Sequence, residues 1–177
     1  MDINYFALYE LPLSYDIDQK ELTLKYYALS KQYHPDNFTL EDAAAQAEAL
    51  DKSTAVNQGY KILKHKHSRL RHLLILLGVT FEEGNEKMPQ EFLMEMMDIN
   101  EGIMEYKMDS SDQKKALVQN QIETFAATLE SQAQPALSNL EATAPDPEHL
   151  AILKLYYLKS KYLKRLKDNI EDRGVEM

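Results

Sequence analysis

LTLKYYALSKQYHPDNF, residues 22–38, decides how the first third of this chain folds. Leu22, Tyr26, Leu29 and Tyr33 recur at spacings of four, three and four, which stacks them on one face of an α-helix. Lys20, Leu24, Tyr27 and Lys31 fall on the roughly opposite face, with Lys25 on the flank. This helix, starting near Asp18, thus has a packing side and a wet side. Pro35 has no N–H to donate and pushes His34 into extended backbone, so the helix must end at Tyr33 or His34 and the chain must turn. The triplet His34-Pro35-Asp36 is then an exposed loop. An imidazole, a proline of fixed φ and a carboxylate beside lysines make a rigid polar knob suited to a charged cleft on another protein. An ordinary corner between two helices, with Asp36 or Asn37 as the turn residue, accounts for the same triplet without a partner.

Working outward, Tyr5, Phe6, Leu8 and Leu11 give Met1 to Pro12 the apolar anchors of a short helix or turn, and Asp16 and Asp18 are N-cap candidates for the helix that follows. A long helix is expected from about Leu40 to Leu63. Its stripe of Ala49, Ser53, Val56, Tyr60 and Leu63 can pack antiparallel against that of the preceding helix. Another runs from about Ser68 to Leu77, apolar at Leu70, Leu73, Leu74 and Leu77, and Gly78 stops it. Residues 1–78 form the first expected domain. Residues 79–88, with Gly84 and Asn85, read as a short linker on which Val79 and Phe81 are free to dock.

Three more helices are expected within residues 89–177: about Gln90 to Met108, about Ser111 to Glu141, and about Asp146 to Asn169 or Asp172. Pro89 suits a first turn, Asp109 to Asp112 breaks the first helix from the second, and Ala144-Pro145-Asp146-Pro147 is a turn. Pro135 is expected to kink or divide its helix. The fold class is all-α: an N-terminal antiparallel helical hairpin carrying the His-Pro-Asp loop, then a C-terminal three-helix bundle.

Composition removes several classes of function. The chain of 177 residues has no cysteine, which excludes disulfides, thiolate metal sites and cysteine nucleophiles. Its net charge of −9 is unevenly placed: residues 1–77 hold nine Lys/Arg against ten Asp/Glu, so nearly all the excess acid lies beyond them. Such a surface repels nucleic acid. No apolar run reaches the ~20 residues of a membrane span, and the N-terminus lacks a basic region followed by an apolar core, so a soluble cytoplasmic protein, most simply a monomer, is expected.

The C-terminal helices carry too many apolar faces. Phe92, Met96, Ile99, Ile103 and Tyr106 make one stripe fit for a core, yet Leu93, Met97 and Met104 form a neighbouring face, continued by Met94, Asp98, Glu101 and Glu105. In the last helix Leu155, Leu158, Tyr162 and Leu166 make one stripe while Leu153, Tyr156, Tyr157 and Leu163 lie largely on the other side. A helix gives a three-helix core one broad face, so the surplus must be covered by the other domain or by another protein. Methionine and tyrosine suit adaptable contacts, and carboxylates among them select a basic partner. Plain core with solvated flanks is the competing account, and dimerisation through Tyr156 and Leu163 stays open.

The segments NYFALYELP (4–12), LTLKYYALSKQYHPDNF (22–38), STAVNQGYKIL (53–63), SRLRHLLILLG (68–78) and QEFLMEMMDINEG (90–102) carry a resemblance. The first half resembles a J-domain, and over about residues 4–172 the chain resembles the HscB family, J-domain co-chaperones of iron-sulfur cluster assembly. The resemblance implies two protein partners and no cofactor. A DnaK-class ATPase chaperone of the HscA type would meet His34, Pro35 and Asp36 with support from Lys25 and Lys31. A cluster scaffold of the IscU type would meet Leu93, Met94, Met97, Asp98, Glu101 and Glu105, with an aromatic at Tyr157 on the last helix. Lys66 stands where the family usually has a proline, a tyrosine near His72 is missing, the cationic helix is less charged than in general J-domains, and the zinc-binding cysteine module of some eukaryotic relatives is absent.

Two alternatives are weaker. A general holdase for unfolded clients would not need the carboxylates. A metal site built from His34, His65, His67, His72 and Asp36 lacks cysteine support, and His65 and His67, two apart, do not share a helix face, so solvated surface histidines are expected. No nucleophile paired with a base and no phosphate-cradling glycine loop is present, so the chain is not expected to be an enzyme.

Overall fold

In the computed structural model, residues 3–82, 84–140 and 146–171 are described, apart from the Asn139 side chain. The helices are α1 (Tyr5–Leu8), α2 (Gln19–Gln32), α3 (Ala43–Lys64), α4 (Lys66–Leu76), α5 (Gln90–Asp109), α6 (Asp112–Asn139) and α7 (Pro147–Glu171), with a 3₁₀ turn at Pro35–Phe38 between α2 and α3. No strand occurs among the described residues. The chain divides into two compact units, Met1–Gly78 with Leu140–Ala144 and Val79–Asn139 with Pro145–Met177. The expected helix end at Glu141, the Ala144-Pro145 half of the turn and Asp172 lie outside the described residues.

Side chains that cap helix ends set the boundaries in the first unit. Asp18 accepts a hydrogen bond from the Lys20 N–H at 2.8 Å and Asp42 from the Ala45 N–H at 2.8 Å. The Asp42 cap starts α3 at Ala43, later than the expected Leu40, which is fully exposed. The packing between α2 and α3 is antiparallel. Tyr26 stacks on Tyr60 with centroids 4.3 Å apart and donates its hydroxyl to Asn57 Oδ1 at 3.0 Å, while at the far end Lys52 lies over the Tyr33 ring. Across this pair α1 lies on α3 at Gly59, where a Cβ would come within 2.8 Å of the Tyr5 ring and 2.9 Å of the Tyr9 ring. The buried Tyr9 hydroxyl donates to the Val56 carbonyl at 2.6 Å, and burial pushes its phenol up.

Two buried polar side chains were not foreseen. Arg69 donates from Nε to the Tyr15 carbonyl at 2.7 Å and from Nη1 to the Leu63 carbonyl at 2.5 Å. It thereby satisfies an end carbonyl of α3 and anchors the loop before α2. Burial lowers its pKa and Tyr15 and Asp16 oppose that, but a guanidinium stays charged. His72, expected at the surface, is buried: its Nε2 accepts from the Tyr5 N–H at 3.2 Å and its ring stacks on Phe6. The histidine reading is corrected there, because the Tyr5 N–H at the start of α1 needs a buried acceptor. Lys66, in the position usual for proline, begins α4 one residue after α3 ends and lies over the Tyr15 ring.

The second unit is the expected three-helix bundle. Phe92, Met96, Ile99, Ile103 and Tyr106 of α5 pack with Val118, Ile122 and Leu129 of α6 and Leu163, Leu166 and Ile170 of α7. Gly102 allows the close approach of α5 to α6, since a Cβ there would sit 2.8 Å from Val118 Cγ2. Ser110, in left-handed backbone at φ 52, ends α5. Of the two outcomes expected for Pro135, division does not occur: α6 runs unbroken through it. The carbonyl it leaves without an intrahelical donor belongs to Ser131, which is exposed and can be hydrated, while Ala133, Ala136 and Leu137 are buried on the other side. Phe81 and Met88, in the segment read as a linker, pack on this unit, and Glu86 pairs with Lys154 at 3.2 Å.

The alternation on α5 gives a paired prediction. Met96→Ala should lower stability by about 2–5 kcal/mol in urea titrations, as for a buried methionine, while Met97→Ala should stay within about 0.5 kcal/mol of the parent. Equal costs would mean that the rotation of α5 is wrong. Arg69→Met should cost about 2–4 kcal/mol, since two carbonyls lose their buried donor.

Candidate docking surfaces

Two exposed surfaces stand out among the described residues. The first is the corner between α2 and α3. His34 has the extended backbone that a following proline demands, φ −63 and ψ 128, and its Nδ1 accepts from the Asp36 N–H at 3.3 Å. The Asn37 amide donates to the Lys31 carbonyl at 2.7 Å, the Asn37 N–H to the His34 carbonyl at 3.0 Å and the Thr39 hydroxyl to the Asp36 carbonyl at 3.3 Å. The loop is therefore tied to the last turn of α2 while His34, Pro35 and Asp36 stay exposed. Lys31 is exposed beside it, but Lys25 is held within the fold, bonded to the Glu10 carbonyl at 2.8 Å and paired with Glu21 at 3.0 Å. Leu24 and Tyr27, placed on the wet face by the sequence but left out of the candidate set, are exposed on that same face.

The second surface is the outer side of α5. Leu93 is 41% exposed, Met94 62% and Met97 68%, and the stripe continues through Met104 at 68% and Met108 at 88%. Asp98, Glu101 and Glu105 are exposed alongside. By the 100° step of a helix, Leu93, Met97 and Met104 form a row, and Met94, Asp98, Glu101 and Glu105 form a parallel one. Lys114 lies 3.3 Å from Glu105 and 2.8 Å from Asp109, and its hydrogen bond holds the Asp109 carboxyl below the usual range. The charge at that end is partly answered, whereas that of Asp98 and Glu101 faces water.

Tyr157 does not join this surface. It is 5% exposed, on the buried side of α7 with Leu153, and meets Phe81 edge-on at 5.2 Å. The expected division of α7 is corrected likewise: Leu153, Tyr157, Leu163, Leu166 and Ile170 are buried, and Leu155, Leu158 and Tyr162 are half-buried. With Leu163 in the bundle core and Tyr156 packed against it, that pair is not an open face for dimerisation. Among the described residues no group of His, Asp and Glu is arranged to hold a metal ion, and no helix is long and apolar enough to cross a membrane.

The corner's rigidity has a measurable consequence. Asn37→Ala removes a bond worth about 1 kcal/mol, so hydrogen exchange of the 34–39 amides should quicken about fivefold. Unchanged exchange would show that other contacts hold the loop.

A family described as the HSCB C-terminal oligomerisation domain matches residues 88–171. A co-chaperone protein HscB homolog of Psychromonas ingrahamii is 34% identical over 85% of this chain and 90% of that protein, and one of Haemophilus ducreyi is 32% identical over 98% of each. Among solved structures, the chaperone HscB of Vibrio cholerae superposes with a TM-score of 0.69 at 27% identity over 96% of each chain. The human co-chaperone protein HscB, at 24% identity, shares the fold with a TM-score of 0.82 over 99% of this chain and 84% of that one. The all-α fold, the exposed His-Pro-Asp corner on a helical hairpin and these similarities agree: the chain belongs to the HscB family of co-chaperones.

Proposed function

We propose that this protein is an escort in iron-sulfur cluster assembly, holding an IscU-type scaffold on its C-terminal unit and presenting it to an HscA-type, DnaK-class chaperone through the His34-Pro35-Asp36 corner. In this reading residues 1–78 act as the J-domain, 79–88 connect, and 89–177 carry the scaffold. The observation that carries it is the apolar patch of Leu93, Met94 and Met97, exposed beside Asp98 and Glu101 on a helix whose other face is fully used by the core. Exposed apolar side chains edged with carboxylates fit one basic-edged partner better than a range of unfolded clients. The second support is a corner whose backbone is fixed by its own hydrogen bonds, so little ordering entropy is lost when it docks.

Chaperone stimulation then needs no covalent step by this chain. The corner binds better to the chaperone conformation that hydrolyses ATP and so shifts its population. The scaffold, held on the same molecule, meets the chaperone at raised effective concentration.

Steady-state ATPase of a cognate chaperone tests the first half: His34→Gln should abolish stimulation, and stimulation equal to that of the parent would remove the corner from the mechanism. For the second half, Leu93→Ala, Met94→Ala and Met97→Ala combined should weaken scaffold binding about tenfold to a hundredfold while stimulation without scaffold persists. Tyr157→Ala is a poor probe, because it opens a buried site. Suppression of aggregation of unrelated proteins, undiminished by the triple change, would favour a general holdase instead.

A further inference from the structure

Five of the chain's eight methionines lie on α5, and four of them, Met94, Met97, Met104 and Met108, are exposed, while Met96 on the same helix is 1% exposed within the core. Residues 2–87 contain no methionine, and the chain has no cysteine to compete for oxidant. Thioether chemistry is thus concentrated on α5, mostly on its outer face, and apart from the terminal Met1 it is absent from the unit that bears the His34-Pro35-Asp36 corner. We infer that this face is a peroxide-sensitive modification site: oxidation of the exposed α5 methionines to sulfoxides switches off scaffold docking and leaves the chaperone-facing corner working. The inference rests on the docking role proposed above for α5.

The chemistry balances with hydrogen peroxide as the oxidant. A sulfur lone pair attacks one peroxide oxygen, the S–O bond forms as the O–O bond breaks, and sulfur gives up two electrons. The departing hydroxide takes the proton from the transferred oxygen and leaves as water. A flexible apolar side chain becomes a polar one with a strong acceptor, which an apolar interface cannot satisfy. Reversal needs a methionine sulfoxide reductase drawing two electrons from a dithiol, which returns the oxygen as water and forms a disulfide in the reductant. Burial sets the selectivity: Met97 stands in water, whereas Met96 is sealed among Phe92, Ile99 and Leu163.

The test treats the full-length protein with hydrogen peroxide, removes the oxidant, maps sulfoxides by peptide mass spectrometry, and then measures binding to untreated scaffold and ATPase stimulation of untreated chaperone without scaffold. Expected are sulfoxides at Met94, Met97, Met104 and Met108 and none at Met96, with scaffold affinity at least about tenfold weaker. Stimulation by the corner should be unchanged, and affinity should return after treatment with sulfoxide reductase and dithiothreitol. In Met94→Leu/Met97→Leu, whatever its starting affinity, the ratio of untreated to treated binding should shrink. Full affinity with all four sulfoxides in place, or a loss that the reductase does not reverse, would overturn the switch while leaving the docking role intact. Failure of the untreated parent to bind scaffold would overturn the docking role and the switch together.

Discussion

The rotation of α5 about its own axis is fixed from both sides by charge. Phe92, Met96, Ile99, Ile103 and Tyr106 fill the bundle core, and moving one position forward would put Leu93, Met97, Asn100, Met104 and Lys107 there instead. Asn100 and Lys107 could not follow without losing the bonds they make across to α7, to the Tyr162 hydroxyl and to Asn169 Oδ1. Moving one position back would bury Glu91, Glu95, Asp98 and Glu105. Neither rotation is affordable, because an unpaired buried charge costs far more than the apolar exposure it relieves. The outward display of the Leu93, Met94 and Met97 patch is therefore a consequence of core packing.

A comparable constraint acts at the other end of the chain. The Tyr26–Tyr60 stack and the bond from Tyr26 to Asn57 fix α2 against α3, and Pro35 fixes where α2 can stop. What remains between them is a corner whose backbone groups are bonded to its own side chains, so that its outward polar groups are preorganised. Arg69 adds the third tie, joining the loop before α2 to the end of α3. The two display surfaces thus arise from separate local arrangements, as the proposed escort role would require.

Legibility in the sequence followed how local each feature was. The α5 stripe was readable residue by residue, because one period and one core describe the whole helix. The α7 stripe was not: Leu153 and Leu166 are both buried although they point more than about 90° apart, so no single stripe describes that helix. Tyr157 was misplaced for the same reason, its buried side being invisible to a one-face reading. Arg69 and His72 escaped because burial of a polar group depends on distant partners, the carbonyls of Tyr15 and Leu63 and the N–H of Tyr5, which no spacing in the sequence reveals.

The most direct measurement is methyl NMR of protein labelled at the methionine ε-carbons, titrated with the scaffold partner. The account predicts that the Met94 and Met97 signals shift or broaden at stoichiometric scaffold while Met96, one residue away in sequence and sealed in the core, keeps its resonance. Perturbation of Met96 together with its neighbours, or no change at any α5 methyl while binding is evident by another method, would contradict the claim that the outer face of α5 is the docking surface.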